Sequence, residues 1–176
     1  GTVIDAETKM RDNSLWAGGN IGIVYDINER HSLGGEFQYN YWGSDDKTTT
    51  WTKRSLDGST THTDGNYATS NDSYMLTATL NYIYKLDDKG SVLKLIGDYT
   101  NSRTPRSNNY ADTEYNTVAP TILRDSTYRN NSISRYQLAT ATAAIEKVFS
   151  QKFTLKAGLK YTYNDNDNLA KYEYLR

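Results

Sequence analysis

The sequence predicts an all-β fold: an antiparallel up-and-down meander of about six long strands, a transmembrane β-barrel segment with short inner turns and long outer loops. Three observations predict it. Apolar residues recur at every second position in six stretches, aromatic residues gather at the two ends of those rows, and short polar turns alternate with long polar intervals.

The first row is Leu15, Ala17, Gly19, Ile21, Ile23 and Tyr25. The second is Leu33, Gly35, Phe37, Tyr39 and Tyr41, interleaved with polar Glu36, Gln38 and Asn40. The third is Tyr74, Leu76, Ala78, Leu80, Tyr82 and Tyr84, opposed by Ser73, Thr77, Thr79, Asn81 and Lys85. Leu93, Leu95, Gly97 and Tyr99 form the fourth, opposed by Lys94, Asp98 and Thr100. The fifth, "RYQLATATAAIEKVF" at about 135–149, has small residues and weaker contrast. The sixth is Phe153, Leu155, Ala157, Leu159, Tyr161 and Tyr163, with Lys156 and Lys160 on its other side.

"DINERH", "LDDKGS" and "FSQK" are short turns after the first, third and fifth strands. The hairpins therefore fall at about 13–42, 73–100 and 134–164 of a single segment, 1–176. The long loops lie at about 43–72 and 101–133, and the second and fourth strands are expected to continue into them as projecting ribbons. Asp57-Gly58 suits a hairpin tip that needs positive φ. Pro105 and Pro120 lie in the second interval, where a missing N–H costs no ladder bond. Leu33 to Tyr39, Leu93 to Tyr99 and Leu155 to Tyr161 repeat one pattern just after a short turn, about 60 residues apart.

Composition narrows the classes. Mean hydropathy is -0.79, yet 12% of the chain is aromatic, with 16 Tyr against 3 Phe. That aromatic load opposes disorder, and Tyr suits places where an apolar body meets a wet edge. A net charge of -1 offers no polycationic surface for nucleic acid. No apolar run approaches the roughly 18 residues of a membrane helix.

The same rows would serve a soluble sheet with a shared core, as in a soluble or secreted β-sheet binding module such as an adhesin or glycan-binding domain. Four features favour lipid. Phe153 to Tyr163 covers about 23 Å of height at a tilt near 45°, close to a barrel's apolar band. Tyr41, Tyr74, Tyr99, Tyr161 and Tyr163 fall toward the long-loop ends, and Tyr25, Tyr82, Tyr84 and Phe153 toward the short-turn ends, as two interfacial girdles would. Glu36, Gln38, Asn40, Lys94, Asp98, Lys156 and Lys160 suit a wet or plugged lumen, and the loop-length alternation matches outer-membrane barrels. The lipid-facing set is then Leu33, Phe37, Tyr39, Tyr41, Tyr74, Leu76, Leu80, Tyr82, Leu93, Leu95, Tyr99, Phe153, Leu155, Leu159, Tyr161 and Tyr163.

The stretches "YDINERHSLGGEFQYNYW", "NYIYKLDDKGSVLKLIGDYTNSRTP" and "EKVFSQKFTLKAGLKYTYN" carry a cadence of polar turn, alternating strand with a Gly, then Tyr and an Asn-rich loop. In this the chain resembles the barrels of TonB-dependent receptors, especially the Bacteroidetes-type outer-membrane β-barrel family related to them. The resemblance covers nearly the whole chain as a pattern rather than a unique motif. It implies a bacterial outer-membrane location, a barrel of about 22 strands with an N-terminal plug, nutrient uptake energised by TonB, and as partners the lipid bilayer, the rest of the barrel and its plug, TonB and a surface lipoprotein. Six strands fall short of such a barrel, no plug or TonB-contact segment is visible, and the closing "KYEYLR" lacks a terminal aromatic, so a fragment from mid-barrel is expected. The alternative, a complete eight-stranded barrel, needs further strands at about 2–10 and 168–175.

Chemistry is not expected. There is no Cys, phosphate loop, nucleophile elbow or metal-spaced His cluster, and no cofactor is implied. His31 and His62 read as solvated turn and tip residues, and Asp45-Asp46 and Asp87-Asp88 as solvated pairs. "NDNDN", Asn164 to Asn168, lacks the later Gly and Glu of a calcium loop, with Ala170 and Arg176 in their places. Trp51, Tyr67, Tyr110, Tyr115 and Tyr128 are candidate ligand contacts on the long loops, by stacking on sugars or another extracellular ligand; pairing with one another along projecting hairpins is the simpler expectation.

Overall fold

A computed structural model describes residues 1–56, 58–117 and 121–175, with Leu175 described in its backbone only. Strict alternation produces six strands: β1 (Thr2–Asp26), β2 (His31–Leu56), β3 (Ser59–Lys85), β4 (Val92–Asn116), β5 (Ile122–Ser150) and β6 (Phe153–Leu175). They form one antiparallel sheet in the order β1-β2-β3-β4-β5-β6. The sheet is open, with β1 and β6 as unpaired edges.

The strands run 23 to 29 residues, far beyond the roughly 5–6 of ordinary strands. What the sequence assigns to loops at 43–72 and 101–133 is ladder almost to the tips. The Thr, Ser, Asn and Tyr of these intervals have the β-propensity and the cross-strand hydrogen bonds to pair without an apolar face: Thr69 donates to Asn108, Ser107 to Asn131 and Thr113 to Asp125. Residues 2–10 and 168–175 are the far ends of β1 and β6, not the two extra strands of an eight-stranded closure. Pro105 also lies inside a strand, opposite Ile133 of β5. Its missing N–H shows on the other side, where β3–β4 pairing lapses between Asn71↔Arg106 and Tyr74↔Arg103.

The short turns are built by side chains. Asn28 Oδ1 accepts the amides of Arg30 and His31 at 2.9 and 3.0 Å. Asp87 Oδ1 accepts those of Lys89 and Ser91 at 3.0 and 3.1 Å, and Gly90 takes a φ of +95° that other residues rarely adopt. Lys147 of β5 reaches Asp87 at 2.8 Å, and the buried Ser91 hydroxyl accepts the Val148 amide, so this turn is fastened to the next hairpin. At the outer end Gly58 has a φ of +85°, as a hairpin tip requires; Asp57 and Pro120 lie outside the described residues.

No hydrophobic side chain is buried among the described residues, so the sheet has no second layer. Ile21 is 72% exposed and Leu159 77%.

The Lys147 ammonium and the turn hydroxyl and amides hold the Asp87 carboxyl well below the usual carboxylate range. A folded-state pKa that is lowered gives stability present above the unfolded value and lost only as pH falls through the folded one. Protection of the Lys89 and Ser91 amides should therefore persist from about pH 7 down through pH 4 and fail only in stronger acid. Hydrogen exchange by NMR in detergent checks this, with Asp87→Asn exchanging several-fold faster throughout.

Candidate membrane-spanning surface

Because side chains alternate along a strand, pairing register decides which rows share a face. Here the register is constant along nearly every ladder. Ile21 pairs with Phe37, Phe37 with Ala78, Ala78 with Tyr99, Tyr99 with Ala139 and Ala139 with Tyr163. All six apolar rows fall on one face of one sheet. The same ladder identifies the fifth row as Ala139, Ala141, Ala143 and Ile145, which its small residues hide in the sequence.

Aromatic residues stand at many of the row ends. Tyr39 and Tyr74 stack at 6.3 Å, and the Tyr41 hydroxyl donates to Asp72 at 2.7 Å toward the long end. At the short end His31 is no solvated turn residue. It stacks on Tyr84 with centroids 4.4 Å apart, and its Nδ1 lies 2.5 Å from the Tyr82 hydroxyl. His62 is likewise engaged, stacked on Tyr115 at 5.5 Å, because the interval that holds it is sheet.

The band is staggered against the ladder. On β1 its long-loop end is Leu15, which shares a rung with Gly43. On β6 it is Tyr163, whose rung runs through Ala139, Tyr99 and Ala78 to Phe37. The band thus slips from Gly43 to Phe37, six residues, over the five steps from β1 to β6. At roughly 3.3 Å per residue and 4.8 Å between strands, that inclines the strands about 40° to the band's normal. Transmembrane barrels tilt by about 35–45°.

The opposite face holds every residue of the polar set. Glu36, Gln38 and Asn40 of β2 lie across from Gly22, Asn20 and Gly18 of β1. Asn20 donates to Glu36 at 3.3 Å. Asp98 accepts from Thr79 on one side and Thr140 on the other, 2.9 Å each, tying β3, β4 and β5. Lys156 pairs with Glu146 at 3.2 Å. Gly34 keeps room for Asn81, whose side chain a Cβ there would strike.

The aromatic candidates of the long intervals divide. Tyr67, Tyr110 and Tyr128 meet on the polar face in one rung, with centroids 5.5 and 4.5 Å apart, and Tyr174 of β6 joins them at 6.0 Å. Tyr67 also donates to Asp112 at 2.9 Å. Trp51 and Tyr115 alternate onto the other face, away from this stack. Sequence reasoning missed Tyr174 because its segment seemed too weakly patterned for a strand. Asp45 and Asp46 point to opposite faces of β2. Asn164 to Asn168 form strand opposite Ser134 to Leu138, and among the described residues no group of three metal-ligating side chains occurs. Among the described residues no helix is long and apolar enough to cross a membrane, which says nothing about strands.

A cross-strand ring pair contributes about 0.5–1.5 kcal/mol beyond its area. Tyr110→Ala removes two such contacts and should speed tryptic cleavage at Arg106, Arg124 and Arg129 in detergent. Trp51→Ala, which removes none, should leave the rate near that of the unchanged protein.

No curated protein matches the chain. Solved structures give faint likenesses. The membrane pore complex of pneumolysin is 9% identical, with 98% of this chain and 31% of that one covered and a TM-score of 0.21. The β domain of the Bordetella autotransporter BrkA is 9% identical, with 93% and 96% covered and a TM-score of 0.17. The ferric citrate transporter FecA is 10% identical, with 96% and 33% covered and a TM-score of 0.18. Likenesses this faint carry no argument about this chain, which spans about a third of the pneumolysin and FecA chains. A family model decides the matter: residues 84–176, more than half of the sequence, match an outer membrane protein β-barrel family. The chain belongs to that family, and its place is the bacterial outer membrane.

Proposed function

We propose that this sheet is part of the wall of a larger, TonB-dependent-receptor-like barrel that takes up nutrients across the outer membrane. The observation that carries the reading is the single apolar face, inclined about 40° and bounded by aromatics, on a sheet with no core of its own. That face is assigned to lipid, with the sixteen residues from Leu33 to Tyr163 named above as its contacts. The face of Glu36, Asp98 and Lys160 is assigned to the lumen.

Two full-length edges call for further strands, since unpaired backbone is not tolerated in hydrocarbon. The resemblance in strand cadence supports the receptor type. A plug, TonB and a surface lipoprotein are the partners it implies. Above the band, β2 continues from Gly43 to Leu56, a wall on the order of 30 Å high at this tilt. Such a wall suits capture of a bulky solute. Its Tyr67, Tyr110 and Tyr128 serve first to brace one another, with the Tyr67 hydroxyl held by Asp112, and leave their ring edges to a ligand. The sheet's role is passive: it seats, lines and admits. A soluble adhesin or glycan-binding module would need a second layer over the apolar rows, and the described residues supply none.

Uptake is tested with the full-length protein in cells given radiolabelled candidate nutrients. Accumulation should collapse when the proton-motive force is dissipated; accumulation that survives would point to a passive channel. Face assignment is tested separately. Leu80→Arg should cost about 2–4 kcal/mol of folding into phosphatidylcholine vesicles, read by urea titration, because it places a charge in lipid. Thr77→Arg on the other face should cost far less, and equal costs would overturn the assignment.

A further inference from the structure

The lower part of the polar face carries an unassigned cavity. Ala144 of β5 and Gly158 of β6 lie side by side in register, with Lys94 of β4 completing the rung. The two small residues floor a depression of about 340 Å³ walled by Val92, Lys94, Glu146 and Lys156. Lys160 stands one same-face position beyond Gly158, opposite Thr142. Lys85 flanks it from β3, on the rung of Val92.

The charge around this floor is unbalanced. Lys156 is occupied by Glu146. Asp98, two same-face positions above Lys94 with Ile96 between them, is satisfied by the two threonine hydroxyls. Lys94 and Lys160 have no hydrogen-bond or ion-pair partner among the described residues. Four lysines thus face two carboxylates that are already engaged. Lys94 and Lys156 line a gap that larger side chains at 144 and 158 would fill, and Lys85 and Lys160 stand on the neighbouring rungs of the same face.

We infer that this floor is a binding site for the anionic group, carboxylate or phosphate, of a solute in the lumen. The inference rests on the assignment of this face to the interior. Lys94 and Lys160 supply the charge from the two sides, and Ala144 and Gly158 supply the space. Beside low-dielectric walls such a field is focused rather than dispersed.

The test uses charge-matched thiol reagents. The segment has no Cys, so a single Ala144→Cys in the full-length protein, with any cysteine elsewhere replaced by Ser, reports on the floor. In phosphatidylcholine bilayers it is labelled with sulfonatoethyl or trimethylammonioethyl methanethiosulfonate, and each rate is divided by that reagent's rate with a free thiol. A local potential of about one kT favours the anionic over the cationic reagent by about sevenfold. That ratio should fall to about one in the Lys94→Gln/Lys160→Gln background, and inorganic phosphate should slow the anionic reagent. A ratio near one in the original background, or one unmoved by removing both lysines, overturns the site. If Ala143→Cys labels and Ala144→Cys does not, the interior assignment itself has failed. If neither labels, while both do in urea, no solute reaches the floor and the site is overturned.

Discussion

Register is the constraint on which the rest of this sheet depends. Each ladder holds one offset over more than twenty residues, so a side chain's face is decided by whether its number is odd or even. The two recorded shifts, near Tyr115 and Ser150, both fall beside connections, where the alternation has already done its work. Everything with physical meaning here follows from that regularity. The apolar rows coincide, the polar rows coincide, and tyrosines from four strands meet in one line although each strand contributes only one.

Stability is divided along the strand axis. Between the girdles there is nothing among the described residues to bury the apolar face, so its burial has to come from outside this sheet. The opposite face there is knit by Asp98 across three strands and by the Lys156–Glu146 pair. Beyond the long-loop girdle no apolar face remains, and cohesion passes to backbone bonds, hydroxyl–amide pairs and stacked rings. The short-turn end is finished differently, with Asp87 and Ser91 binding one hairpin to its neighbour.

Much of this was legible in the sequence. Five of the six rows could be read from alternation, since Leu, Ile and Tyr contrast strongly with Lys, Asn and Thr. The fifth was blurred because Ala139, Ala141 and Ala143 differ little in polarity from Thr140 and Thr142; only pairing with Tyr99 and Tyr163 reveals its face. The long intervals read as loops into which strands project as ribbons, but the full length of the ladder does not show, because Ser, Thr and Asn are common to loops and to solvated strands. Nothing local distinguishes them; the distinction lies in a partner strand tens of residues away. For the same reason Trp51 and Tyr67 looked equivalent, and His31 looked solvated although its stacking partner is Tyr84. The lysine site was half visible. Lys94, Lys156 and Lys160 read as interior, but the floor beneath them joins Ala144 to Gly158 across two strands.

The odd–even rule also limits how such a chain can change over evolutionary time. Loss or gain of one codon inside a strand would move every residue beyond it in that strand to the opposite face, setting lysines among the apolar rows and leucines among the polar ones. Length drift inside the membrane band must therefore come in matched pairs of codons or be absorbed by a bulge. At the outer tips, near Gly58 and beyond Asn116, two strands can lengthen together without disturbing anything below. The height of the outer wall is thus free to diverge between relatives while the belt beneath it stays fixed in frame.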